Sequence, residues 1–450
     1  MSEVKRASVP LREALRFWAK LGFINFGGPA GQIALMHEEL VDRRRWIGND
    51  RFLHALSFCM LLPGPEAQQL AIYIGWLLNG TIGGIAAGVL FVLPAFFLIL
   101  GLAWAYAVHG DVSWVGAIFY GLQAAVIGIV AAAVIRVGSK ALRTPALYLI
   151  AAASFIAIFF LGVPFPLIVL VAGLVGLVGA RLYPALFPAP IHGDGADEPF
   201  LLDDAEDSPS RGAPWRRSLR VLLVGLSVWW IPLLVVIAAR GPEDTLSEMA
   251  LFFSQAAMVT FGGAYAVLAY INEVAVQGFG WLEPGQMVTG LGLAESTPGP
   301  LIMVTEFVGF LGAYRFPGGI DPVAAGIAGA AVATWATFAP CFLWIFLGAP
   351  YIEKLRGNRA LGAALSAITA AVVGVILNLA VTFAIFALFD RVGSVDAGPL
   401  SFPSPVWTTW DPAALTIAVV VFVGLWRARW NVLTVVLAAA GAGLVYRSLF

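Results

Sequence analysis

Long apolar runs separated by short polar stretches make up most of the chain. Most of these runs are long enough to cross the ~30 Å hydrocarbon core of a bilayer as helices. Six precede a polar stretch, one stands alone after it, and six follow. The pattern predicts an all-α polytopic membrane protein with thirteen apolar segments. They lie at roughly 14–36, 52–79, 81–108, 114–137, 146–161, 163–183, 219–239, 246–268, 287–313, 323–349, 360–389, 407–426 and 430–447.

The same helix-breaking motifs occur in both halves of the chain, in the same order. Between Phe26 and Pro65, 11 of 40 positions match the residues that lie 235 positions later. Ordered glycine, proline and tryptophan matches indicate an internal duplication rather than chance apolar similarity. The matches include Phe26-Gly27-Gly28 with Phe261-Gly262-Gly263, Trp46 with Trp281, and Pro63-Gly64-Pro65 with Pro298-Gly299-Pro300.

Farther along, the two copies stay aligned at a different offset. Pro94-Ala95-Phe96 matches Pro340-Cys341-Phe342, and Gly128 matches Gly374, both 246 positions apart. The difference between the two offsets predicts an 11-residue insertion near 314–319.

The lone segment 219–239 determines how the two copies are oriented. One extra crossing between equal halves turns the second copy upside down, so we expect two inverted-topology repeats joined by one extra transmembrane helix. The predicted order is a first repeat at 1–183, an acidic linker at 184–217, a connecting helix at 218–240 and an inverted second repeat at 241–450.

Composition supports the membrane class and excludes several others. Hydrophobic residues make up 60% of the chain and charged residues 12%, against ~25% in soluble domains. Mean hydropathy is +0.88. Cys59 and Cys341 both lie in apolar runs, so no disulfide framework is expected. No metal-binding motif is visible, and we expect no cofactor. The first twenty residues carry Lys5, Arg6, Arg12 and Arg16 with no preceding apolar run, so we expect no cleavable signal peptide.

Lysine and arginine positions predict the orientation. Thirteen full crossings with a cytoplasmic N-terminus place 18 of these residues inside and 8 outside. If the first two segments of each half are instead broken, re-entrant hairpins, about nine spans remain and the count becomes 22 against 4. The positive-inside rule favours the hairpin arrangement and a cytoplasmic linker. The length of 52–79 still permits a full crossing, so both arrangements remain open. We expect Trp46 and Trp281 to anchor at the membrane interface.

The repeated breaks have the chemistry of anion sites. Proline suits the first turn of a helix, and the glycines before it let the backbone approach a ligand closely. The result is a helix N-terminus at membrane depth, where free N–H groups and the helix dipole attract anions. The candidate substrate-binding residues are Asn25, Gly27, Gly28, Gly64, Gln68, Gln69, Thr260, Gly262, Gly263, Ser296, Thr297, Gly299 and Thr305.

Three glutamates lie within or beside these segments: Glu66, Glu295 and Glu306. Ionisable residues are rare and costly inside a membrane, so each is a candidate for carrying a coupling proton.

At these residues the chain resembles the chromate ion transporter family, in its long two-domain form. The resemblance covers roughly 11–180 and 246–445. It departs from the family pattern in the acidic linker and in Ala264, which replaces the proline found at Pro29. The motifs that carry it are Phe-Gly-Gly-Pro at 26–29, Trp46, Leu-Pro-Gly-Pro at 62–65, Gln-Leu-Ala-Ile-Tyr-Ile-Gly at 69–75, Phe-Gly-Gly at 261–263 and Thr-Pro-Gly-Pro at 297–300.

The resemblance implies fused inverted domains that export chromate across the bacterial inner membrane, using the proton-motive force, with sulfate similar enough to compete. The expected partners are a chromate or sulfate-like dianion and the lipid bilayer, with no nucleic acid, in a monomer or homodimer. Sulfate or another anion as the true cargo, and a passive anion channel, remain alternatives. A membrane enzyme is disfavoured because no nucleophile–base pair or zinc set is visible.

Overall fold

A computed structural model shows a protein that is almost entirely helical. It describes residues 9–26, 28–60, 62–110, 112–184, 186–187, 215–261, 264–283, 285–349, 359–398 and 400–449. The first-half helices are α1 Leu11–Ile24, α2 Gly28–His37, α3 Asn49–Cys59, α4 Glu66–His109, α5 Ser113–Ala141, α6 Pro145–Leu161 and α7 Phe165–Leu182. Helix α8, Trp215–Arg240, connects the halves. The second-half helices are α9 Thr245–Met258, α10 Ala264–Asn272, α11 Gln286–Ser296, α12 Val304–Arg315, α13 Pro322–Gly348, α14 Arg359–Leu388, α15 Pro412–Trp426 and α16 Val432–Leu449.

Within the described residues, seven helices are long and apolar enough to cross a bilayer: α4, α5, α7, α8, α13, α14 and α16. Two shorter apolar helices, α6 and α15, accompany them. Many large apolar side chains on these helices are exposed, and α8 is the most exposed of the seven. Apolar side chains at the surface require an apolar solvent. The chain is therefore a multi-pass membrane protein, as its composition predicts.

The opening segments of both halves are interrupted where glycine and proline predict a break. Helix α1 ends at Ile24, and α2 begins at Gly28. Helix α3 ends at Cys59, and α4 begins directly after Pro65. In the second half, α9 ends at Met258 and α11 ends at Ser296, and each is followed by an equivalent break.

Helix α4 doubles back on itself. Within its range, Asn79 and Gly80 leave the helical conformation, and Gly80 has the positive φ of 63° that glycine tolerates best. The two arms pack so closely that a Cβ atom on Gly75 would lie 2.6 Å from Ala87. In the second half, helices α12 and α13 form the equivalent pair, and a longer turn at 316–321 joins them.

In each half, a π-helical turn directly follows the second helix, at Glu38–Arg43 after α2 and at Glu273–Gly278 after α10. We call these two segments the outer turns. The expectation that Trp46 and Trp281 anchor at the interface is wrong. They are only 4% and 1% exposed, because each folds under its π turn and packs against an aromatic side chain of the first helix of its half, Phe17 of α1 or Phe252 of α9.

Two further features complete the fold. An antiparallel hairpin of β1 Val392–Ala397 and β2 Leu400–Pro405 follows α14, and the apolar pattern does not predict it. The acidic residues of the predicted linker lie outside the described residues. The two matched glycines, Gly128 and Gly374, each lie against a helix of the opposite half: Gly128 against Ala418 of α15, and Gly374 against Ala151 of α6.

Candidate functional site

The beginnings of four helices meet around one small cavity. Helices α2 and α4 come from the first half, and α10 and the 3₁₀ turn Leu301–Met303 that leads into α12 come from the second. All four starts follow the breaks that the repeated motifs predict. The lining residues are Pro29, Gln32, Pro65, Glu66, Ala67, Ala264, Pro300, Leu301 and Ile302.

Backbone hydrogen bonds join the breaks in a reciprocal pattern across the halves. The Gly64 N–H of the first half donates to the Thr260 carbonyl of the second at 2.9 Å. The Gly299 N–H of the second half donates to the Asn25 carbonyl of the first at 3.3 Å. Gly64 matches Gly299 and Asn25 matches Thr260 at the repeat offset, so each half makes the same contact with the other.

Gly64 and Gly299 are the positions where the backbone requires glycine. Their φ angles are 123° and 130°, a region that other L-residues rarely adopt. A Cβ atom on Gly64 would lie 2.9 Å from the Cys341 Sγ atom, and one on Gly299 would overlap Ala95. Cys341 and Ala95 are themselves matched positions, so each break packs against the equivalent helix of the opposite half.

Gln32 is a site residue that the sequence reasoning did not select. It is fully buried in α2, and its Nε2 donates to the Asn25 carbonyl at 3.1 Å and also to the Gly299 carbonyl. One amide therefore bridges the two halves where the cavity forms. Its position one turn after Pro29, in an otherwise apolar helix, is the signal that could have identified it.

Asn25 is the most unusual of the predicted binding residues. Its side chain is fully buried, and neither its oxygen nor its nitrogen has a hydrogen-bond partner among the described residues. An unsatisfied buried amide is costly unless a ligand or water pairs with it. The other two predicted amides are anchored: Gln69 donates to the Pro63 carbonyl at 2.8 Å, and Gln68 to the Gly88 carbonyl at 3.4 Å.

The predicted hydroxyl donors bond within their own segments. Thr260 donates to the Ala256 carbonyl at 2.7 Å, and Thr305 donates to the Ile302 carbonyl at 2.9 Å. Ser296 and Thr297 both donate to the Leu293 carbonyl. Such back-bonding is a common way for serine and threonine to satisfy a hydroxyl in an apolar helix.

Gly28, one of the predicted binding glycines, is the first residue of α2 and has a φ of 66°. Gly27, Gly262 and Gly263 lie outside the described residues.

The three candidate glutamates have different surroundings. Glu66 is the first residue of α4 and lines the cavity. Glu295 is 4% exposed and accepts a hydrogen bond from the Tyr265 hydroxyl. Glu306 is fully buried in α12, and neither carboxylate oxygen has a partner among the described residues. Of the three, only Glu66 borders the cavity.

The cavity offers backbone N–H groups and helix dipoles rather than cationic side chains. No lysine, arginine or histidine is among its lining residues. Its volume is about 10 Å³, close to the room that one water molecule needs. In this conformation the four helix starts are therefore closed against one another. Within the described residues, no cluster of histidine, cysteine and acidic side chains could hold a metal ion.

Comparison with known proteins identifies the family. A chromate transport protein of Pseudomonas aeruginosa is 32% identical over 429 residues, which cover 94% of this chain and 89% of the relative. A chromate transport protein of Cupriavidus metallidurans is 30% identical over 385 residues, which cover 84% of each chain. No solved structure matches. The sequence profile of the family described as chromate transporter matches residues 12–177 and 247–444, most of both halves. The chain therefore belongs to the chromate transporter family.

Proposed function

We propose that this protein is a secondary transporter that exports chromate from the bacterial cytoplasm by alternating access, driven by the proton-motive force. Membership in the family supports chromate transport and argues against an enzyme. The observation that carries the mechanism is the meeting of four helix beginnings, two from each half, around one cavity beside the unpaired Asn25 amide.

The substrate chemistry fits this arrangement. Chromate is a tetrahedral dianion whose four oxygens accept hydrogen bonds. Helix N-termini supply N–H donors and a favourable dipole without the desolvation cost of a buried cation. The predicted glycines and amides are the proposed principal binding residues, and Asn25 has free amide donors to offer. The predicted hydroxyls border the same breaks but already donate within their own segments. Sulfate shares the charge and shape of chromate, so we expect it to compete.

The reciprocal contacts support an inverted repeat. Two copies related by a two-fold axis in the membrane plane would exchange equivalent contacts, as Gly64 and Gly299 do. We propose nine crossings: the second arm of α4, helices α5 to α8, and helices α13 to α16. The interrupted segments then enter and return on opposite faces, with the N-terminus and the linker in the cytoplasm.

Single-cysteine labelling tests this topology. In a background with Cys59 and Cys341 replaced by alanine, Arg44→Cys should react only with reagents that reach the cytoplasm, and Phe279→Cys only with reagents outside. Ala95 already occupies the position that matches Cys341, so alanine should be tolerated there. Labelling of both cysteines from the same face would refute the inversion.

Transport is tested in everted membrane vesicles. Energised vesicles should accumulate labelled chromate, a protonophore should abolish the accumulation, and excess sulfate should reduce it. Accumulation that survives the protonophore would remove proton coupling. Rapid equilibration without accumulation would indicate the passive channel instead, although the closed cavity favours a carrier.

A further inference from the structure

One side-chain contact joins the two breaks of the second half. Tyr265 is the second residue of α10, just after one break, and Glu295 is the next-to-last residue of α11, just before the other. The Tyr265 hydroxyl donates a hydrogen bond to the Glu295 Oε1 atom. The contact therefore ties together two segments whose ends must separate if the cavity is to open.

The first half has no equivalent contact. The matched positions are Ala30 and Met60, which cannot form such a bond. The Gln32 amide, which has no titratable group, instead joins the first-half break at Asn25 to the second-half break at Gly299. Of these two contacts, only the one between Tyr265 and Glu295 contains a carboxylic acid.

The other buried carboxylate, Glu306, is placed differently. It lies in α12, beyond the turn that follows the break, and no described residue donates a hydrogen bond to it. Its protonation would change no contact between the broken ends. Around Glu295, the described groups that interact electrostatically with the carboxylate are Tyr265 on α10 and Arg136 on α5. Arg136 is exposed, so a charged group outside the cavity interacts electrostatically with the Glu295 carboxylate.

We propose that the Tyr265–Glu295 pair is the proton-dependent latch of the transport cycle, an inference that rests on the proposed transport function. An ionised carboxylate accepts the phenol hydrogen bond more strongly than a neutral carboxyl group does. A proton taken from water by Glu295 therefore weakens the tie and favours separation of the second-half breaks. Its release to water on the other side restores the tie. Only the proton moves, and no covalent bond changes.

The test uses the full chain in proteoliposomes with two assays. Counterflow measures exchange of chromate for chromate without a gradient, and accumulation is driven by an imposed pH gradient. In Glu295→Gln we expect accumulation to fall by about tenfold or more while counterflow persists and becomes insensitive to pH. Tyr265→Phe keeps the carboxylate but removes the hydrogen bond, so we expect accumulation to fall in this variant as well, while counterflow persists. The matched control is Glu283→Gln, which alters an exposed carboxylate paired with Arg315 at 2.8 Å and should match wild type in both assays.

Coupled accumulation by Glu295→Gln at the wild-type level would overturn the latch. So would uncoupling by Glu306→Gln with Glu295→Gln unaffected. Absence of wild-type counterflow would count against the proposed function instead. The latch would then be judged by thermal unfolding of the two single variants and the double variant. If the Tm changes of the two single variants do not add up to that of the double variant at high pH but do at low pH, the latch is supported. If they are additive at every pH, the latch is overturned.

Discussion

The outer turns of the two halves have the same backbone but different side chains. Both are π-helical, and in both a positive φ follows, 54° at Arg45 and 66° at Gly280. A tryptophan then folds under each turn. In the first half, the Arg44 guanidinium lies 5.0 Å from the Phe17 ring centroid and 4.9 Å from that of Trp46. In the second half the matched residue, Phe279, stacks on Trp281 with a centroid distance of 4.4 Å.

The proposed inverted topology would account for this difference. Arg44 also contacts Glu13 and Glu39, and Arg43 pairs with Glu38 and Glu39, so the first-half turn is a network of charges. Glu13 has a counterpart in Glu248, but Glu39, Arg43 and Arg44 are replaced by Val274, Gly278 and Phe279. An inverted repeat places the two turns on opposite faces, where the positive-inside rule favours arginines on one face only.

The centre of the molecule shows a second difference between the halves. Around the first-half breaks the polar side chains are mainly amides, whereas around the second-half breaks they are hydroxyls and carboxylates. The first-half amides are Asn25, Gln32, Gln68 and Gln69, and the second-half groups are Thr260, Tyr265, Glu295, Thr297, Thr305 and Glu306. We therefore expect the first half to contribute more to anion binding and the second half more to proton exchange.

The largest effect is expected where the halves are most alike. Gly64→Leu and Gly299→Leu should each reduce chromate accumulation by about a hundredfold or more, because both the positive φ and the neighbouring side chain exclude a Cβ atom. The measurement is uptake by everted vesicles, normalised to the protein in the membrane. Gly101→Leu is the control, since a Cβ atom there has no neighbour within 4 Å. Equal transport by Gly64→Leu and Gly101→Leu would argue against the broken-helix site.

The second-largest effect is expected when Asn25 is replaced by threonine, the residue at the matched position Thr260. Asn25→Thr should weaken chromate uptake by about tenfold, since a hydrogen bond to a charged group contributes about 1.5–3 kcal/mol. Concentration dependence of uptake would show the loss as a higher KM. The paired variant Thr260→Val removes a hydroxyl that already bonds to Ala256, so its KM should change by less than about threefold. Equal losses in the two variants would contradict the assignment of anion binding to the first-half amides.

A smaller effect is expected for the bridge between the halves. Gln32→Val installs the matched residue, Val267, and leaves the Asn25 and Gly299 carbonyls without this donor. The free energy of unfolding should fall by about 1–2 kcal/mol, seen as a lower Tm of the purified protein. Val267→Ala offers a comparison, because it removes buried apolar contact but no hydrogen bond. An unchanged Tm in Gln32→Val would show that the bridge does not stabilise the interface.

The smallest effect is expected at the outer turn. Arg44→Phe makes the first half resemble the second and should lower the free energy of unfolding by about 1 kcal/mol, the usual scale of a cation–π contact with a partly exposed ion pair. High salt should reduce the difference in free energy of unfolding between variant and wild type, because screening weakens the Arg44 ion pairs that only the wild type has. If that difference does not change with salt, the effect comes from packing instead.

Much of the fold follows from local chemistry and is therefore readable in the sequence. Pro65 and Pro300 interrupt helices because proline restricts its own backbone and has no N–H to donate, and the positions of these two breaks are confirmed. Gly80 interrupts α4 because glycine readily adopts a positive φ. Apolar length likewise identifies the long helices. The β-hairpin after α14 was missed, since its residues form neither a long apolar run nor a strict alternation.

The amino-acid sequence by itself determined the membrane class, the family, the duplication and the positions at which the helices break, because each depends on residues close together in the chain or on a repeated order. Only the tertiary structure decided which atoms meet at those breaks. The bonds from Gly64 to Thr260 and from Gly299 to Asn25, the bridge through Gln32 and the pair of Tyr265 with Glu295 join segments that are separate in the chain. Such partners are selected by the packing of whole helices, and no local preference of glycine, glutamine or tyrosine specifies them.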